Sequence, residues 1–406
     1  MIPRGRLDIR WRDILFGIWA CLRPGNRARM QARVECDAFV GEHDLACLSV
    51  RTGFDALLTT LDYPAGSEVL VSALTIHDMV RIVLEHDLVP VPIDLDMDML
   101  AVDEAALHRL VSERTTSLLV AHVFGADLPF DDIAAFARQR GLLLIEDRAQ
   151  SYAGGRDEGH PAADVVLFSF GPIKTNTALG GAVLRFRDSG LRDRVRGVLS
   201  TYPVQSRRRF LKRLLKYAGL KALSNPSLFG AFARVAPHFG TTHDEVISRA
   251  LRGFPGEKLL VQIRHQPSYP LLALLHRRLV TFDSRRIEQR RLVAERLAAL
   301  LPGTRRPGQA SRSHTHWVFP IRHADPDGLM RYLWARGFDA TRGASSLGVV
   351  APPREKPDAA ASEAQAAMAE MVYLPVSAQM SPDQLERLAT EVRAFDAATT
   401  HAGSRK

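Results

Sequence analysis

Two segments of the chain combine residue types that could act on one ligand. Residues 145–150 read IEDRAQ and include two carboxylates, and residues 167–174 read LFSFGPIK and end in a lysine. Each segment continues from a run of apolar residues that is typical of a buried strand. Ligands of open α/β sheets bind beyond the carboxyl ends of the strands. We therefore predict that Asp147 and Lys174 belong to one site.

The residue types in these segments match the needs of pyridoxal 5′-phosphate (PLP). This cofactor requires a lysine for a Schiff base, a carboxylate that keeps the pyridine nitrogen protonated, and donors for the phosphate. Lys174, Asp147 and Ser169 would supply these three functions. The alternatives are that Lys174 is a surface lysine at the end of a strand and that Asp147 caps a helix.

A glycine near the start of a helix is a further candidate for phosphate binding. Residues 51–57 read RTGFDAL, and their apolar spacing predicts a helix at Gly53–Leu61. Backbone N–H groups and the helix dipole at such a start stabilise a phosphate. Glycine is common at helix starts in α/β proteins, so a purely structural turn is the alternative.

The order of these segments resembles that of a known family. RTGFDAL, ALTIHDM, IEDRAQS, LFSFGPIK and LGGAV follow one another as in the DegT-like nucleotide-sugar aminotransferases, which have aminotransferase fold type I. The resemblance implies that Asp147 faces the pyridine nitrogen of PLP and that Gln150 lies near the ring hydroxyl. It also implies that Ser169 contacts the phosphate and that Lys174 forms the Schiff base.

The chain departs from the family pattern at positions expected to contact PLP. The family has Ser-Gly-Thr at the phosphate helix, whereas this chain has Thr52, Gly53 and Phe54, so backbone donors must contribute more. The residue expected to stack on the ring is Ile76 instead of an aromatic residue. His77 is the candidate that replaces it, and a packed or surface histidine is the alternative.

Strand and helix patterns alternate along the first half of the chain. The predicted strands are Glu68–Ser72, Val89–Asp94, Ser117–His122, Leu142–Glu146, Val165–Phe170 and Gly181–Arg187. The predicted helices between them are Gly53–Leu61, His77–His86, Glu104–Ser112 and Asp131–Arg140. This alternation indicates βαβ units with a mostly parallel sheet covered by helices. We predict the α/β class, with a smaller C-terminal α+β domain as in PLP-dependent transferases of fold type I.

The pattern divides the chain into three parts. Residues 1–40 are predicted to form an amphipathic arm, residues 41–270 the large PLP-binding domain, and residues 271–406 the small domain. A basic helical insertion at about 195–255 interrupts the large domain, because the strand and helix alternation stops there. The predicted elements of the small domain are a long helix at Leu271–Leu300, a strand at His316–Ile321, and helices at Pro326–Arg336 and Ser381–Phe395.

Positive charge is concentrated in the insertion. The formal net charge is +9, and no Asp or Glu occurs between Arg194 and His243. Residues 207–221 are rich in Lys and Arg, and both this segment and residues 11–22 have one apolar helical face. Two amphipathic helices of this kind are typical of contact with an anionic bilayer. The alternative is that the insertion packs its apolar face on the protein.

Composition limits the compartment and the partners. The three cysteines form no disulfide framework, which favours the cytoplasm. No apolar run is long enough for a spanning helix, so we expect a cytoplasmic protein that at most contacts the inner face of the membrane. The basic stretch lies in no recognised nucleic-acid module, and we expect neither a nucleic-acid partner nor a bound metal.

These observations predict a PLP-dependent aminotransferase. By analogy with the family, an amino group would pass from an amino acid to a keto-sugar or related carbonyl acceptor that is nucleotide- or lipid-linked. Glutamate is the expected amino donor. Arg342 is a candidate for binding a substrate carboxylate, with a solvated surface arginine as the alternative. The alternative function is a catalytically silent homologue with a regulatory or scaffold role. The resemblance also implies a homodimer.

Overall fold

A mostly parallel β-sheet lies at the centre of the fold. The computed structural model describes residues 1–5, 7–37, 43–154, 159–251, 253–254, 256–343 and 347–403. The strands in these residues are β1 (Asp44–Cys47), β2 (Glu68–Ser72), β3 (Leu74–Ile76), β4 (Val89–Ile93), β5 (Thr115–Ala121), β6 (Ala126–Asp127), β7 (Leu143–Asp147), β8 (Val165–Ser169), β9 (Ala182–Phe186), β10 (Ser313–His314), β11 (Phe319–Arg322), β12 (Leu347–Val349) and β13 (Met371–Leu374). The main sheet has the order β1-β9-β8-β7-β5-β2-β4. Within it, β9 runs antiparallel to both of its neighbours, and the pairings among β2, β4, β5, β7 and β8 are parallel.

Helices cover both faces of this sheet. The helices of the described residues are α1 (Trp11–Leu22), α2 (Arg27–Asp37), α3 (Val50–Leu61), α4 (His77–Glu85), α5 (Glu104–Leu110), α6 (Asp131–Arg140), α7 (Ser189–Ser200), α8 (Arg207–Leu223), α9 (Pro226–Val235), α10 (His243–Leu251), α11 (Leu259–Ile263), α12 (Tyr269–Val280), α13 (Arg285–Leu300), α14 (Pro326–Ala335), α15 (Ser362–Glu370) and α16 (Pro382–Gly403). Leu118 of β5 packs with α5, α6 and α12, whereas its neighbour Leu119 packs with α3, α4 and α7. This alternation buries both faces and confirms the predicted α/β class of fold type I.

The helix predicted at Leu271–Leu300 is wrong as a single element. The structure has two helices, α12 and α13, separated by the turn at residues 281–284. In the turn, the carboxylate of Asp283 accepts a hydrogen bond from the N–H of Arg285 at 3.2 Å. A short acidic side chain that bonds to the backbone two residues further on favours a turn over a continuous helix. The turn contains neither Gly nor Pro, which is why the sequence pattern did not reveal the break.

The first residues of the chain connect distant parts of the fold. The N–H of Ile2 donates to the carbonyl of Gly337 at 2.7 Å, and the guanidinium of Arg4 bonds to Asp339 at 2.6 Å. Helix α1 then packs on α12 and α8. Helix α12 also packs on α2, so it lies with the N-terminal helices although the predicted domain boundary falls within it. The division at residues 40 and 270 stays a prediction.

The C-terminal part has an apolar core of its own. Strands β11 and β13 pair antiparallel, with Phe319 opposite Leu374, and α13, α14 and α16 pack against them. This arrangement is the α+β unit that the sequence predicts for the small domain. The predicted strand at His316–Ile321 is displaced, because β11 begins at Phe319 and the preceding residues form a loop that bonds to Phe124 and Gly125 after β5.

Helices α8, α9 and α10 form most of the predicted insertion. Helix α7, which the prediction placed partly within it, packs on α3 and belongs to the helical layer of the sheet. Residues 252 and 255 of the predicted insertion, and residues 38–40 of the predicted arm, lie outside the described residues. In the part of the chain that the structure describes, no helix has the length and apolar character needed to cross a bilayer.

Candidate active site

Lys174 follows the carboxyl end of β8 in a tight turn. The strand ends at Ser169, and the N–H of Lys174 donates to the carbonyl of Gly171 at 3.0 Å. A Cβ placed at Gly171 would lie 3.6 Å from the hydroxyl oxygen of Ser169 and 3.8 Å from Cγ of Lys174. The hydroxyl and the lysine side chain therefore flank the same point of the backbone. Burial and, to a smaller extent, the charge of Arg51 lower the pKa of Lys174 to about 8, against the opposing charge of Asp147.

Asp147 ends β7, which lies beside β8. Its Oδ1 accepts a hydrogen bond from the N–H of Ala149 at 2.9 Å, and its side chain is buried. Burial raises the pKa of Asp147, whereas the bond from Ala149 and the charge of Lys174 lower it in part. The preceding residue, Glu146, points to the opposite side because side chains alternate along a strand. Glu146 accepts hydrogen bonds from His122 at 2.9 Å and from the N–H of His160 at 2.6 Å.

Asp147 and Lys174 act on each other electrostatically across the ends of neighbouring strands. Each charge shifts the pKa of the other group towards its ionised form, so the two groups share one electrostatic environment. They nevertheless form no ion pair, since no N···O separation within 4.0 Å joins them. A carboxylate and an amine that are coupled but not in contact, with the hydroxyl of Ser169 near the lysine side chain, fit PLP in the types of group it needs.

Trp317 contacts Lys174 from the C-terminal half of the chain. The Nζ of Lys174 lies 4.4 Å from the centroid of a Trp317 ring, and the indole N–H donates to the carbonyl of Ile173 at 2.9 Å. Sequence analysis did not select this residue, because nothing in its local pattern indicates contact with a lysine 143 positions earlier. Its ring covers the amine and contributes to the burial that lowers the pKa of Lys174.

Gln150 bonds to the loop at Phe124 and Gly125, which in turn bonds to the segment that contains Trp317. Its Oε1 accepts a hydrogen bond from the N–H of Phe124 at 3.0 Å. Phe124 and Gly125 both have positive φ, 61° and 98°, and the carbonyl of Gly125 accepts from the N–H of Thr315 at 2.6 Å. Gln150 is therefore a positioning residue for the loop at 315–317. Its predicted place near the ring hydroxyl of PLP stays a prediction.

The predicted phosphate helix begins earlier than the sequence indicated. Helix α3 begins at Val50, capped by Ser49, instead of at Gly53. The N–H of Thr52 donates to the hydroxyl of Ser49, and the N–H of Gly53 donates to the carbonyl of Ser49. The first N–H groups of a helix lack intrahelical acceptors, so those of Val50 and Arg51 are the better candidates for a phosphate.

The side chains at the predicted phosphate positions have other contacts. The hydroxyl of Thr52 donates to the carbonyl of Ile263 at 2.9 Å. Gly53 packs on Leu184, where an added Cβ would meet a methyl carbon at 2.5 Å, and Phe54 is fully buried in the apolar core. Phosphate binding by Thr52, Gly53 and Phe54 remains a prediction, and these contacts leave no side-chain donor for it.

Arg51 is a further residue of the site that sequence analysis did not select. Its Nε donates to Asp78 at 2.6 Å, and its charge lowers the pKa of both Lys174 and Asp147. The guanidinium therefore lies within electrostatic reach of the two central groups. Its position in the first turn of α3 could have been a signal, because cations are uncommon at the positive end of a helix dipole.

His77 and Arg342 contact other parts of the protein. The exposed His77 begins α4, and its ring packs on Gly348, where an added Cβ would lie 2.4 Å from Cε1. Arg342 donates to the carbonyl of Met371 at 3.3 Å and to Asp327 at 3.2 Å, and it also bonds to the carbonyl of Ala369. These bonds favour a structural role for Arg342. A stacking role for His77 and a substrate role for Arg342 stay predictions.

A cavity of about 670 Å³ lies beside Lys174, and we call it the Lys174 cavity. Residues 3–5 and 7–11, parts of α8 and α13, and residues 376–379 form much of its wall. Trp317 and Lys174 line it together, whereas Asp147 and Ser169 do not. Lys174 therefore lines a cavity large enough for a sugar derivative and is also coupled electrostatically to the buried Asp147.

Comparison with known proteins identifies relatives of this site and fold. Residues 22–222 match the sequence model of the DegT/DnrJ/EryC1/StrS aminotransferase family. This range contains Asp147, Gln150, Ser169 and Lys174. The match therefore covers the predicted PLP residues but not Trp317 or the C-terminal part.

Solved structures share the fold over nearly the whole chain. The aminotransferase TlmJ from Streptoalloteichus hindustanus is 20% identical, with 97% of this chain and 93% of that chain covered and a TM-score of 0.63. PseC from Helicobacter pylori, an aminotransferase involved in the biosynthesis of pseudoaminic acid, is 14% identical, with 97% and 98% covered and a TM-score of 0.69. NtdA from Bacillus subtilis, solved with bound cofactor PMP, is 17% identical, with 94% and 81% covered and a TM-score of 0.68. At these identities, the likeness establishes the fold.

Proposed function

The chain belongs to the DegT/DnrJ/EryC1/StrS aminotransferase family and is a PLP-dependent aminotransferase, and on this premise we propose that Lys174 carries the cofactor and that a keto-sugar derivative accepts the amino group. The observation that carries the proposal is the placement of Asp147 and Lys174 at the ends of neighbouring strands, coupled electrostatically but not in contact. Bound PLP supplies an electron sink for the carbon that exchanges nitrogen.

The residues of this chain have distinct tasks in the proposal. Asp147 is the carboxylate that would accept a hydrogen bond from the pyridinium nitrogen, and its burial strengthens such a bond. The pKa of Lys174 is about 8, which is close to neutral pH. Its amine can therefore both accept a proton from the substrate carbon and return one to it. Ser169 and the N–H groups of Val50 and Arg51 are the proposed phosphate donors. Trp317 covers Lys174 and limits the access of water to its amine.

An absorbance spectrum of the purified protein with added PLP tests this proposal. We expect a Schiff-base band at roughly 410–430 nm that disappears in Lys174→Ala. Lys212→Ala, a change of the same type on an exposed part of α8, is the matched control and should keep the band. A wild-type protein without the band would favour the silent regulatory or scaffold homologue. A band that survives in Lys174→Ala would place the cofactor on another lysine.

We propose glutamate as the amino donor and a nucleotide- or lipid-linked keto-sugar as the acceptor. The cavity wall supports an anionic acceptor, because six cationic side chains and two carboxylates contribute to it. Those side chains are Arg4, Arg10, Lys174, Lys221, Arg286 and Arg290, with Asp8 and Asp339. A half-reaction screen separates the two substrates. Glutamate should bleach the Schiff-base band, and an acceptor should restore it. Bleaching by other amino acids but not by glutamate would contradict the donor.

The lipid-linked variant depends on a surface that we call the α1/α8 face. It consists of Trp11, Leu15, Trp19 and Leu22 of α1 with Arg208, Lys212, Leu215 and Lys216 of α8. The two helices are antiparallel. Arg207 donates to the carbonyl of Arg23 at one end, and the Nζ of Lys221 lies 5.9 Å from the ring of Trp11 at the other. Large apolar side chains therefore lie beside a row of lysines and arginines.

The composition of the α1/α8 face supports contact with an anionic bilayer. Trp11, Leu15, Trp19 and Leu22 are 48%, 63%, 46% and 73% exposed and follow one another along one side of α1, and an exposed apolar patch of this kind is typical of an interaction surface. Basic residues near an anionic surface contribute about 1 kcal/mol each, and the apolar side chains would enter the headgroup region. Trp11 and Lys221 also line the Lys174 cavity, so a lipid-linked acceptor could reach Lys174 from this face.

Flotation with vesicles of phosphatidylcholine and phosphatidylserine tests the membrane contact. We expect the wild-type protein to float and the double variant Lys212→Glu with Lys216→Glu to remain in the soluble fraction. The matched control is Arg138→Glu with Arg140→Glu, the same charge change on exposed residues of α6. Equal flotation of both variants would contradict the proposal. Dissociation of a dimer by the α8 variant would identify the face as a subunit interface instead.

We also propose that the enzyme is a homodimer in the cytoplasm, because active sites of the family form between two subunits. Light scattering on the purified protein would give about twice the chain mass of 45.0 kDa. A monomer that retains the Schiff-base band and transfers nitrogen would contradict this part of the proposal without affecting the role of Lys174.

A further inference from the structure

Arg290 places a guanidinium beside the residue that follows Lys174. It lies on α13, and its Nε donates to the carbonyl of Thr315 at 2.6 Å. Its Nη1 and Nη2 both lie 3.3 Å from the hydroxyl oxygen of Thr175. A guanidinium has five N–H donors, and here two terminal nitrogens share one neutral oxygen at a long distance. Arg290, Thr175 and Lys174 all line the Lys174 cavity.

Arg290 is half-buried and has no anionic partner among the described residues. Among the described residues, no carboxylate forms an ion pair with it, and burial together with the charge of Arg286 lowers its pKa to about 10. The fully buried Arg278, by contrast, is paired with Asp13 at 3.0 Å. Withdrawing a charge from water without a partner is costly, so the surroundings of Arg290 favour an anion that completes the site.

The neighbours of Arg290 add positive charge or are neutral. Arg286 lies one helical turn earlier on α13, also lines the cavity, and is paired with Asp8. His314 and His316 stack with ring centroids 4.0 Å apart. Burial and the charges of nearby arginines lower the pKa of His314 to about 3 and that of His316 to about 4. Both rings are therefore neutral near pH 7, and neither neutralises Arg290.

We propose that Arg290 and Thr175 form a subsite for a phosphate group of the amino acceptor, an inference that rests on the proposed function. An arginine fork matches the geometry of phosphate oxygens, and the hydroxyl of Thr175 provides a further donor. Because Thr175 follows Lys174 directly, a phosphate bound here fixes the rest of the acceptor close to the reacting amine. Arg286, one turn away, lines the same cavity, but its guanidinium is already paired with Asp8, so Arg290 is the main cation of the subsite.

Titration of the PLP-loaded protein with inorganic pyrophosphate tests the subsite, with binding measured by calorimetry. We expect Arg290→Gln to weaken binding at least about tenfold, because a hydrogen bond to a charged group is worth about 1.5–3 kcal/mol. Arg290→Lys keeps the charge but loses the fork and should weaken binding less. The control is Arg291→Gln, since Arg291 is exposed, does not line the cavity, and bonds to Glu288 and Glu295. It should change binding by less than about twofold.

Two results would overturn the subsite. One is that the wild-type protein does not bind pyrophosphate, and the other is that the Arg290 and Arg291 substitutions have equal effects. Glutarate, a dicarboxylate of similar charge, is the second probe. Tighter binding of glutarate than of pyrophosphate, with loss in Arg290→Gln, would assign Arg290 to the carboxylate of the amino donor and overturn the phosphate assignment. The Schiff-base band is recorded for each variant. Absence of the band from the wild-type protein would contradict the proposed function. Pyrophosphate binding tests the subsite separately from the band.

Discussion

The amine of Lys174 contacts the indole of Trp317, from the C-terminal half of the chain, and is coupled electrostatically to Asp147 of the main sheet. Its Nζ is 4.4 Å from the centroid of a Trp317 ring, and Asp147 acts on it electrostatically without an ion pair. Burial by these surroundings lowers the pKa of Lys174, and the charge of Asp147 opposes the effect. The reactivity of the amine is therefore determined by a balance that substitutions at either neighbour would change.

The pH dependence of Schiff-base formation measures that balance. The neutral amine is the nucleophile, so the rate for the apoprotein with PLP should rise about tenfold per pH unit below a pKa of about 8 and level off above it. In Asp147→Asn the midpoint should move to lower pH, because the carboxylate that raises the pKa of Lys174 is lost. Asp358→Asn, an exposed control, should keep the midpoint. A wild-type midpoint near 10.5 would contradict the burial of the amine.

Gly125 tests how the Trp317 loop is held against the sheet. Its φ is 98°, and an added Cβ would lie 2.6 Å from the backbone nitrogen of Trp317 and 2.6 Å from the hydroxyl of Thr315. Gly141→Ala is the matched control, because its φ is also positive but no atom lies within 4 Å. We expect Gly125→Ala to lower the free energy of unfolding by about 1–3 kcal/mol more than Gly141→Ala. Urea denaturation measures the difference, and equal losses would contradict a tight contact.

Gln150 should affect stability through the backbone of Phe124. In Gln150→Leu the buried N–H of Phe124 loses its acceptor, which should cost about 1–3 kcal/mol of unfolding free energy. Gln309→Leu is the control, because Gln309 bonds to Asp98 at an exposed position and should change stability by less than about 0.5 kcal/mol. Thermal and urea unfolding both report the effect. If Gln150→Leu is as stable as the wild type, the bond does not position the loop.

Glu146 should contribute to stability except at acid pH. Hydrogen bonds and the charges of His122 and Arg148 overcome burial and lower the pKa of Glu146 from 4.5 to about 2. A carboxyl whose folded pKa is depressed stabilises the fold above its unfolded pKa and loses this contribution as pH falls through the folded pKa. The contribution is at most about 3 kcal/mol above pH 4.5 and disappears towards pH 2.

Unfolding free energies of Glu146→Gln between pH 5 and pH 2 measure this contribution. The variant should be less stable than the wild type at pH 5, and the difference should shrink towards pH 2. Glu113→Gln, at an exposed position, should follow the wild-type curve. A constant difference over the whole range would show that packing, and not the ionised carboxylate, explains the loss.

Local patterns were sufficient for the sheet and for the order of the two central residues. The predicted strand Glu68–Ser72 and helix Asp131–Arg140 have the same bounds in the structure. A period of two or 3.6 residues is a property of a short segment, so it can be read without knowledge of distant contacts. The break between α12 and α13 did not follow from the pattern, because the turn at Asp283 contains neither Gly nor Pro.

The sequence by itself determined that an acid and a lysine follow strands of one α/β sheet, because strand ends and residue types are local properties. Only the tertiary structure decided which side chains surround Lys174. Trp317 contacts Lys174, and Arg290 contacts the adjacent Thr175, each from more than 100 positions away. The side chains of Thr52 and Phe54 contact the protein interior instead of a cofactor site. Contacts between such distant residues depend on how helices and loops pack, and no spacing within a segment encodes that packing.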